Sequence, residues 1–372
     1  MKSRYLAHLE ARIAKALGQP EETELHLERV ACLARLGQVQ DARELLSELR
    51  CRVLASPSLR ASVLYHIAEG LCDYYTSLGG NAWDRFSRAK ALALAASQVD
   101  LVARSSSWLA LMQYGSHEFV PMLSSLNDAF DNHAAVEPET LARSCLLIAQ
   151  TVHIANRFDD AIPWYRRARQ YCAQTEDDLT LSALMHNMAS IWASNARNAM
   201  LGGPATRDSS RKALSGALAS LNFDEMVGVA SLDVFAPLLR AQIESIEGNS
   251  LDASIIYAEQ LDSLNIEAMK GWQVWLQCDY GWNLLREGKR SDAVRILQSA
   301  EKMLIPSLHP DDKAAALFRL SAAYEELGEP EKARVLEAES ERSWKEFMGL
   351  QESLMQIISS SVSLKAMTIA KP

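Results

Sequence analysis

The sequence predicts an all-α protein, folded as an α-α superhelix (a solenoid) of about eight helical hairpins. Three observations support this prediction. Apolar residues recur with helical period, as in residues 314–328, and runs of alternating β-branched residues are almost absent. Glycine and proline number only 16 and 11 in 372 residues, fewer than a β-sandwich with many tight turns needs. One turn pattern also returns at intervals that are multiples of about 40 residues.

The repeating turn pattern is a glycine or asparagine followed five positions later by alanine. It joins Gly37 to Ala42, Asn156 to Ala161, Gly248 to Ala253, Gly288 to Ala293 and Gly328 to Ala333. Glycine or asparagine ends the first helix of a hairpin because both tolerate the left-handed C-cap conformation. Alanine early in the second helix permits a close approach of the two backbones. One such hairpin cannot bury its own apolar face, so neighbouring hairpins are expected to stack.

Two segments depart from the repeat. Residues 194–210 include Gly202, Gly203 and Pro204, which interrupt helical continuation, so an irregular surface loop is expected there. The solenoid is expected to cover residues 1–340, and residues 341–372 to form a C-terminal helical extension or tail. This tail carries a broad apolar stripe, and its candidate self-association residues are Trp344, Phe347, Leu354 and Ile358.

Charge and cysteine content argue against several classes of protein. The chain has 38 Lys and Arg against 47 Asp and Glu, and this net charge of −9 argues against a nucleic-acid binder. The N-terminal residues are too charged for a secretory signal, and no apolar stretch is long enough to span a bilayer. The six cysteines form no CxxC pair and lie mostly in apolar helical patterns, which predicts reduced, buried thiols. We therefore expect a cytoplasmic protein without membrane insertion.

The sequence also lacks the motifs of common catalytic and cofactor sites. It contains no glycine-rich phosphate-binding loop, no HExxH and no GxSxG. The eight histidines are dispersed, without the spacing of metal ligands. Carboxylate pairs such as Asp177–Asp178 and Asp311–Asp312 stand at helix starts, where they are expected to cap the helix and complement its dipole. We expect no enzyme activity, no cofactor and no metal.

The pattern within the hairpins resembles the tetratricopeptide repeat family. That family places a small residue in the middle of helix A, alanine early in helix B, and an aromatic residue or leucine one turn later. The matching sets are Ala149, Ala161 and Tyr165; Ala241, Ala253 and Tyr257; Gly281, Ala293 and Leu297; and Ser321 with Ala333. The resemblance covers roughly residues 20–345. The period is about 40 residues rather than about 34, as in the degenerate repeats of bacterial signalling regulators.

The resemblance implies that the A helices line a concave, ligand-binding face. The family's inward positions give the candidate groove residues Arg104, Tyr114, Arg143, Gln150, His153, His186, Gln242, Trp275, Trp282 and Arg286. Arginine suits a carboxylate or an acidic peptide, and tryptophan suits apolar or cationic groups. Ordinary helix packing stays an alternative for the tryptophans, as solvated surface charge does for the arginines.

The resemblance further implies a non-catalytic module that binds a protein or peptide segment. Such a module would act as an adaptor or regulatory sensor in bacterial signal transduction. The alternative is a structural scaffold that self-associates, as a homodimer, through its apolar C-terminal helix. A small-molecule-binding regulator or an enzyme is a third hypothesis.

Overall fold

The structure, a computed structural model, is built of α-helices, and the part of the chain that it describes contains no strand. The described residues are 3–56, 58–77, 79, 81–203, 208–231, 233–261 and 270–360. The predicted all-α fold is confirmed. Within these ranges, none of the helices combines the length and the apolar character that crossing a membrane requires.

Seventeen α-helices are present in the described residues. In chain order they are α1 (Arg4–Lys15), α2 (Glu22–Arg35), α3 (Val39–Ala55), α4 (Leu59–Ser77), α5 (Ala82–Ala95), α6 (Val99–Gly115), α7 (Phe119–Phe130), α8 (Pro138–Ile154), α9 (Phe158–Thr175), α10 (Asp178–Asn198), α11 (Ser209–Val227), α12 (Phe235–Ile246), α13 (Ser250–Gln260), α14 (Lys270–Arg286), α15 (Arg290–Lys302), α16 (Pro310–Leu327) and α17 (Pro330–Ser360). Short 3-10 turns follow α7 and α10, at His133–Ala135 and Ala199–Leu201.

Successive helices pair as hairpins. Six hairpins pack closely along their length, and they are α2 with α3, α4 with α5, α6 with α7, α8 with α9, α12 with α13, and α14 with α15. Helices α16 and α17 form the next hairpin. The Ser321 hydroxyl of α16 donates to the Ala333 carbonyl of α17 across 2.9 Å, so the small residue of the first helix contacts the alanine of the second. First helices of neighbouring hairpins also stack on one another, α2 on α4 and α14 on α16. This is the stacking that the repeat predicted.

The predicted turns have the expected backbone geometry. Gly37, Gly248, Gly288 and Gly328 have φ between 78° and 88°, and Asn156 has φ 59°, all in the left-handed region. The alanines that follow them, such as Ala42 and Ala293, are fully buried. The C-cap prediction is therefore confirmed at all five places.

The chain divides into two compact units, which are described separately. The first unit comprises Met1–Leu184, Asn222–Leu232 and Leu354–Pro372, and the second comprises Met185–Leu221 and Asp233–Ser353. Helix α10 extends to Asn198 and α11 begins at Ser209, so much of the expected 194–210 loop is helical; residues 204–207 lie outside the described residues. Helix α17 passes through position 340 without a break, and residues 361–372 lie outside the described residues. The expected tail as a separate element stays a prediction.

In the first unit, the N-terminal helices pack against residues that are distant in sequence. Leu9, Ile13 and Leu36 share an apolar cluster with Leu179 and Val229. The Ser3 hydroxyl donates to the Asp178 carboxylate across 2.7 Å, a contact between residues 175 positions apart. The start of the chain is thereby fixed against the beginning of α10.

The second unit is organised around a buried carboxylate. Asp279 on α14 is fully buried and accepts hydrogen bonds from Ser245 (2.9 Å), Tyr257 (2.7 Å) and Arg319 Nε (2.7 Å). These partners lie on α12, α13 and α16. A carboxylate with three donors, one of them charged, satisfies the requirement for burying a charge. It links four helices of the repeat.

Candidate ligand-binding site

The first unit contains a cavity of about 190 Å³ whose lining is rich in charged side chains. Its charged lining residues are Arg12, Glu28, Arg35, Arg104, Glu137, Glu139 and Arg143. Apolar and aromatic walls come from Tyr5, Leu71 and Trp108, among others. Four guanidinium groups around one small cavity are typical of a site for an anion.

Helical spacing places the central residues of this cavity. Arg104 and Trp108 are four residues apart on α6, and Glu139 and Arg143 are four residues apart on α8. Side chains at this spacing lie on one face of a helix, one turn apart. Because α6 and α8 are first helices of successive hairpins, both faces line the same cavity.

Arg35 has a carboxylate partner. Its Nη2 lies 3.0 Å from Asp177 Oδ1 and 2.7 Å from Thr180 Oγ1. Asp177 also accepts from the Thr180 backbone N–H at 3.0 Å, so it caps α10 as the sequence predicted. Burial alone would raise the pKa of Asp177, but Arg35 and the Thr180 hydrogen bonds hold that pKa below its usual value. Arg35 therefore has a structural role, as the partner of a buried carboxylate.

Arg104 is also compensated by carboxylates. Its Nη1 lies 3.3 Å from Glu28 and 3.4 Å from Glu137. Glu28 is shared with Arg12, at 3.6 Å. These longer ion pairs are weaker than a bidentate pair, but they give Arg104 two carboxylate partners.

Arg143 differs from Arg35 and Arg104 in its partners. It is only 8 % exposed, its Nη1 donates to Ser107 Oγ across 2.7 Å, and its guanidinium carbon lies 3.5 Å from the centre of the Trp108 ring. Among the described residues, no carboxylate lies within 4.0 Å of it. Burial, followed by the nearby charges of Arg35 and Arg104, lowers the pKa of Arg143 to about 9. Asp177, which pairs with Arg35, acts on Arg143 only from beyond 4.0 Å, so among the described residues the charged form has no carboxylate in direct contact.

A buried charge without a counter-ion is costly, and an anion that enters the cavity would offset that cost. The Trp108 ring covers one face of the guanidinium, and Ser107 takes one of its five donors, so further donors are left for a planar anion. A carboxylate matches this fork geometry. The Cys32 thiol, which also lines the cavity, has its pKa raised to about 12 by burial, so it stays protonated at neutral pH.

Two of the ten predicted groove residues, Arg104 and Arg143, line this cavity. In the same unit, Tyr114 is half-buried beside Phe119, and Gln150 and His153 are buried in α8, where a ring nitrogen of His153 lies 3.1 Å from the Tyr165 hydroxyl. These three side chains pack between helices. Their role in binding stays a prediction.

The other five lie in the second unit. Trp275 is fully buried and donates to Gln242 across 2.9 Å, and His186 is buried with its ring 5.4 Å from that of Phe235. Trp282 is half-buried, with the guanidinium of Arg286 at 5.6 Å from its ring centre. Arg286 itself is exposed and lies 3.3 Å from Glu326.

The proposed self-association residues are largely covered by the chain itself. Phe347 and Leu354 are 2 % and 0 % exposed, Trp344 is buried, and Ile358 is half-buried. The rings of Trp344 and Phe347 pack on each other with centres 5.5 Å apart. Self-association through these side chains stays a prediction.

Sequence reasoning missed Arg35, Trp108 and Glu139. Arg35 stands in an apolar helical pattern (LERVACLARL) that indicated core packing, and Glu139 has the position of an ordinary acidic residue in a first helical turn. Trp108 shares a helix face with the predicted Arg104, and this spacing was the signal that could have identified it.

Comparison with known proteins supports the fold. No family model and no curated protein sequence matches the chain. Among solved structures, it is similar to a Rap protein complexed with competence and sporulation factor, with a TM-score of 0.57 and 12 % sequence identity. The match covers 91 % of this chain and 99 % of the Rap chain. At this identity the likeness establishes a shared helical-repeat fold.

Proposed function

We propose that this chain is a non-catalytic repeat module that binds a peptide or protein segment and holds a carboxylate of that ligand at Arg143. In this proposal it acts as a regulatory sensor or adaptor in bacterial signal transduction, in the cytoplasm, and its hairpins are tetratricopeptide-like repeats. The observation that carries the proposal is the buried guanidinium of Arg143, which lines a cavity and has no carboxylate partner among the described residues.

The size of the cavity limits what can enter it. A volume of about 190 Å³ suits one terminal group or one side chain, while drug-sized ligands occupy roughly 300–1,000 Å³. A peptide would therefore place a single carboxylate-bearing residue in the cavity and lay the rest of its length outside. Anchoring through one buried contact is common in peptide recognition, where a few residues supply most of the affinity.

The structural neighbour supports a ligand-holding role. The Rap structure contains competence and sporulation factor, so a chain of this repeat fold holds a bound factor there. Repeat arrays in general present their stacked helices as binding surfaces. The chemistry of the ligand here is inferred from Arg143, not from the neighbour.

The direct test is a binding measurement on a matched pair of arginine variants. A pentapeptide library would be screened against the intact chain, and the affinity of the best binders measured for Arg143→Gln and Arg166→Gln. Arg166 is an exposed arginine on α9 outside the cavity, so its variant is the charge-matched control. We expect Arg143→Gln to weaken binding by about tenfold or more, because a charge-assisted pair is lost.

Arg143→Lys adds a second comparison, because lysine keeps the charge and loses the planar fork. We expect it to recover only part of the affinity. Unchanged affinity in Arg143→Gln, with the variant folded by circular dichroism, would contradict the proposal.

A further inference from the structure

The same cavity contains a carboxylate that, among the described residues, has no cation within 4.0 Å: that of Glu139. Glu139 is half-buried, and burial raises the pKa of its carboxyl group. It stands in the first turn of α8, one turn before Arg143. The lining thus holds one unmatched cation and one unmatched anion on the same helix face.

These two charges do not neutralise each other. A glutamate four residues before an arginine has the spacing and order that favour a side-chain ion pair on a helix. Here the guanidinium of Arg143 turns instead to Ser107 and Trp108. The two unmatched groups are therefore kept apart, and both line the cavity.

From this arrangement we propose that the cavity binds a zwitterionic group, with an ammonium at Glu139 and a carboxylate at Arg143. This inference rests on the proposed function and names the chemistry of the anchoring residue. A free α-amino acid presents such a group, and so does a peptide whose first residue is aspartate or glutamate. Tyr5, Thr140 and Thr175, which carry hydroxyl groups, are also among the lining residues. The cavity volume of about 190 Å³ fits a single residue.

An ordinary structural role for Glu139 makes a different prediction. An acidic residue in the first turn stabilises a helix through its dipole, by about 0.3–1 kcal/mol. Its loss would then lower thermal stability slightly and leave ligand discrimination unchanged. If the cavity binds a zwitterion, the loss of Glu139 instead removes the preference for a ligand with a free amine.

The experiment uses the intact chain and named probes. The twenty L-amino acids are screened by thermal shift at about 10 mM, since a ligand of the folded state raises the melting temperature. For each binder, the N-acetyl and carboxamide derivatives are titrated by calorimetry. Pentapeptides that begin with aspartate or glutamate are titrated with a free and with an acetylated N-terminus. Whether the free amino acids or the peptides bind distinguishes the two sources of the zwitterionic group.

We expect the zwitterionic form to bind at least about tenfold more tightly than the acetylated form, because a charge-assisted contact is made. Glu139→Gln should abolish this preference, and Arg143→Gln should abolish the preference over the carboxamide. Glu331→Gln is the matched control, because Glu331 is an exposed glutamate in the first turn of α17. It should change neither preference.

Three outcomes overturn the inference: acetylated probes bind the unaltered chain as tightly as free amines, Glu139→Gln leaves the preference intact, or no amino acid and no acidic-first peptide binds. If acetylated probes bind well and Arg143→Gln weakens them, the carboxylate anchor stands and the ammonium contact fails. If Arg143→Gln changes the binding of no probe or library peptide, the proposed function itself fails.

Discussion

At the scale of single residues, the buried carboxylate of Asp279 has three hydrogen-bond donors, one of which is the guanidinium of Arg319. We expect Asp279→Ala to lower the free energy of unfolding by about 3–5 kcal/mol, because the guanidinium of Arg319 would lose its buried counter-ion. Urea unfolding would measure the loss. Asp252→Ala is the control: Asp252 is exposed in the first turn of α13, so its loss should cost no more than about 1 kcal/mol. A loss in Asp279→Ala no larger than in the control would contradict the structural role of this carboxylate.

His186 predicts a pH dependence. It is 6 % exposed, and burial lowers its pKa from 6.5 to about 4. In the unfolded chain the imidazole takes up a proton below its ordinary pKa, while the folded chain keeps it neutral. Its contribution to stability should therefore fall as the pH falls from 6.5 to about 4, by up to about 3 kcal/mol.

The difference between His186→Asn and the unaltered chain isolates this effect. The variant should lose part of the stability decline between pH 6.5 and 4, whatever its absolute stability. His8→Asn, which removes an exposed histidine, is the control and should keep the full decline. Parallel stability profiles for His186→Asn and the unaltered chain would contradict the assignment.

At the scale of elements, the sequence predicts the turns most clearly. Two turn glycines allow the cost of the backbone conformation to be measured apart from the cost of a steric clash. Gly37 and Gly248 have nearly the same φ, 87° and 88°. A methyl group at Gly248 would meet nothing within 4 Å, whereas at Gly37 it would lie 2.7 Å from the backbone nitrogen of Ser231. Gly248→Ala therefore carries only the cost of a left-handed alanine, about 1–2 kcal/mol. Gly37→Ala should cost at least about 1 kcal/mol more, because backbone must move.

Thermal or urea unfolding of these two glycine variants would test that difference. Equal destabilisation would show that residues 230–231 move aside without cost, and it would contradict a tight contact between their backbone and Gly37.

Other turns show why sequence patterns are incomplete at this level. His117 and Glu176 also adopt left-handed conformations, with φ 59° and 55°. Five residues after His117, the position that alanine occupies in other hairpins holds Met122, which is fully buried. Here the position of the turn in the stacked array determines the conformation, and the residue type does not reveal it. The pattern of glycine or asparagine followed by alanine predicted five hairpin turns, whereas the turn at His117 was found only in the structure.

For the whole molecule, local patterns predicted the helices and their pairing, while contacts between distant residues were outside their reach. Arg104 and Arg143 were predictable as inward residues of first helices, and both line the cavity. The partner of Arg35 was not, because Asp177 lies 142 positions away in sequence. The burial of Trp275 and His186 was likewise not predictable from local patterns, because it results from tertiary packing. A repeat pattern identifies which face of a helix points inward, but not how closely the opposite wall approaches.

In the proposed function, the guanidinium of Arg143 receives a ligand carboxylate in the cavity of the first unit. A crystal structure of the chain with its tightest-binding library peptide is the most direct measurement. We predict a carboxylate of that peptide in the cavity, with N···O distances of about 2.8 Å to Arg143. A peptide bound elsewhere, with no carboxylate at Arg143, would contradict the claim.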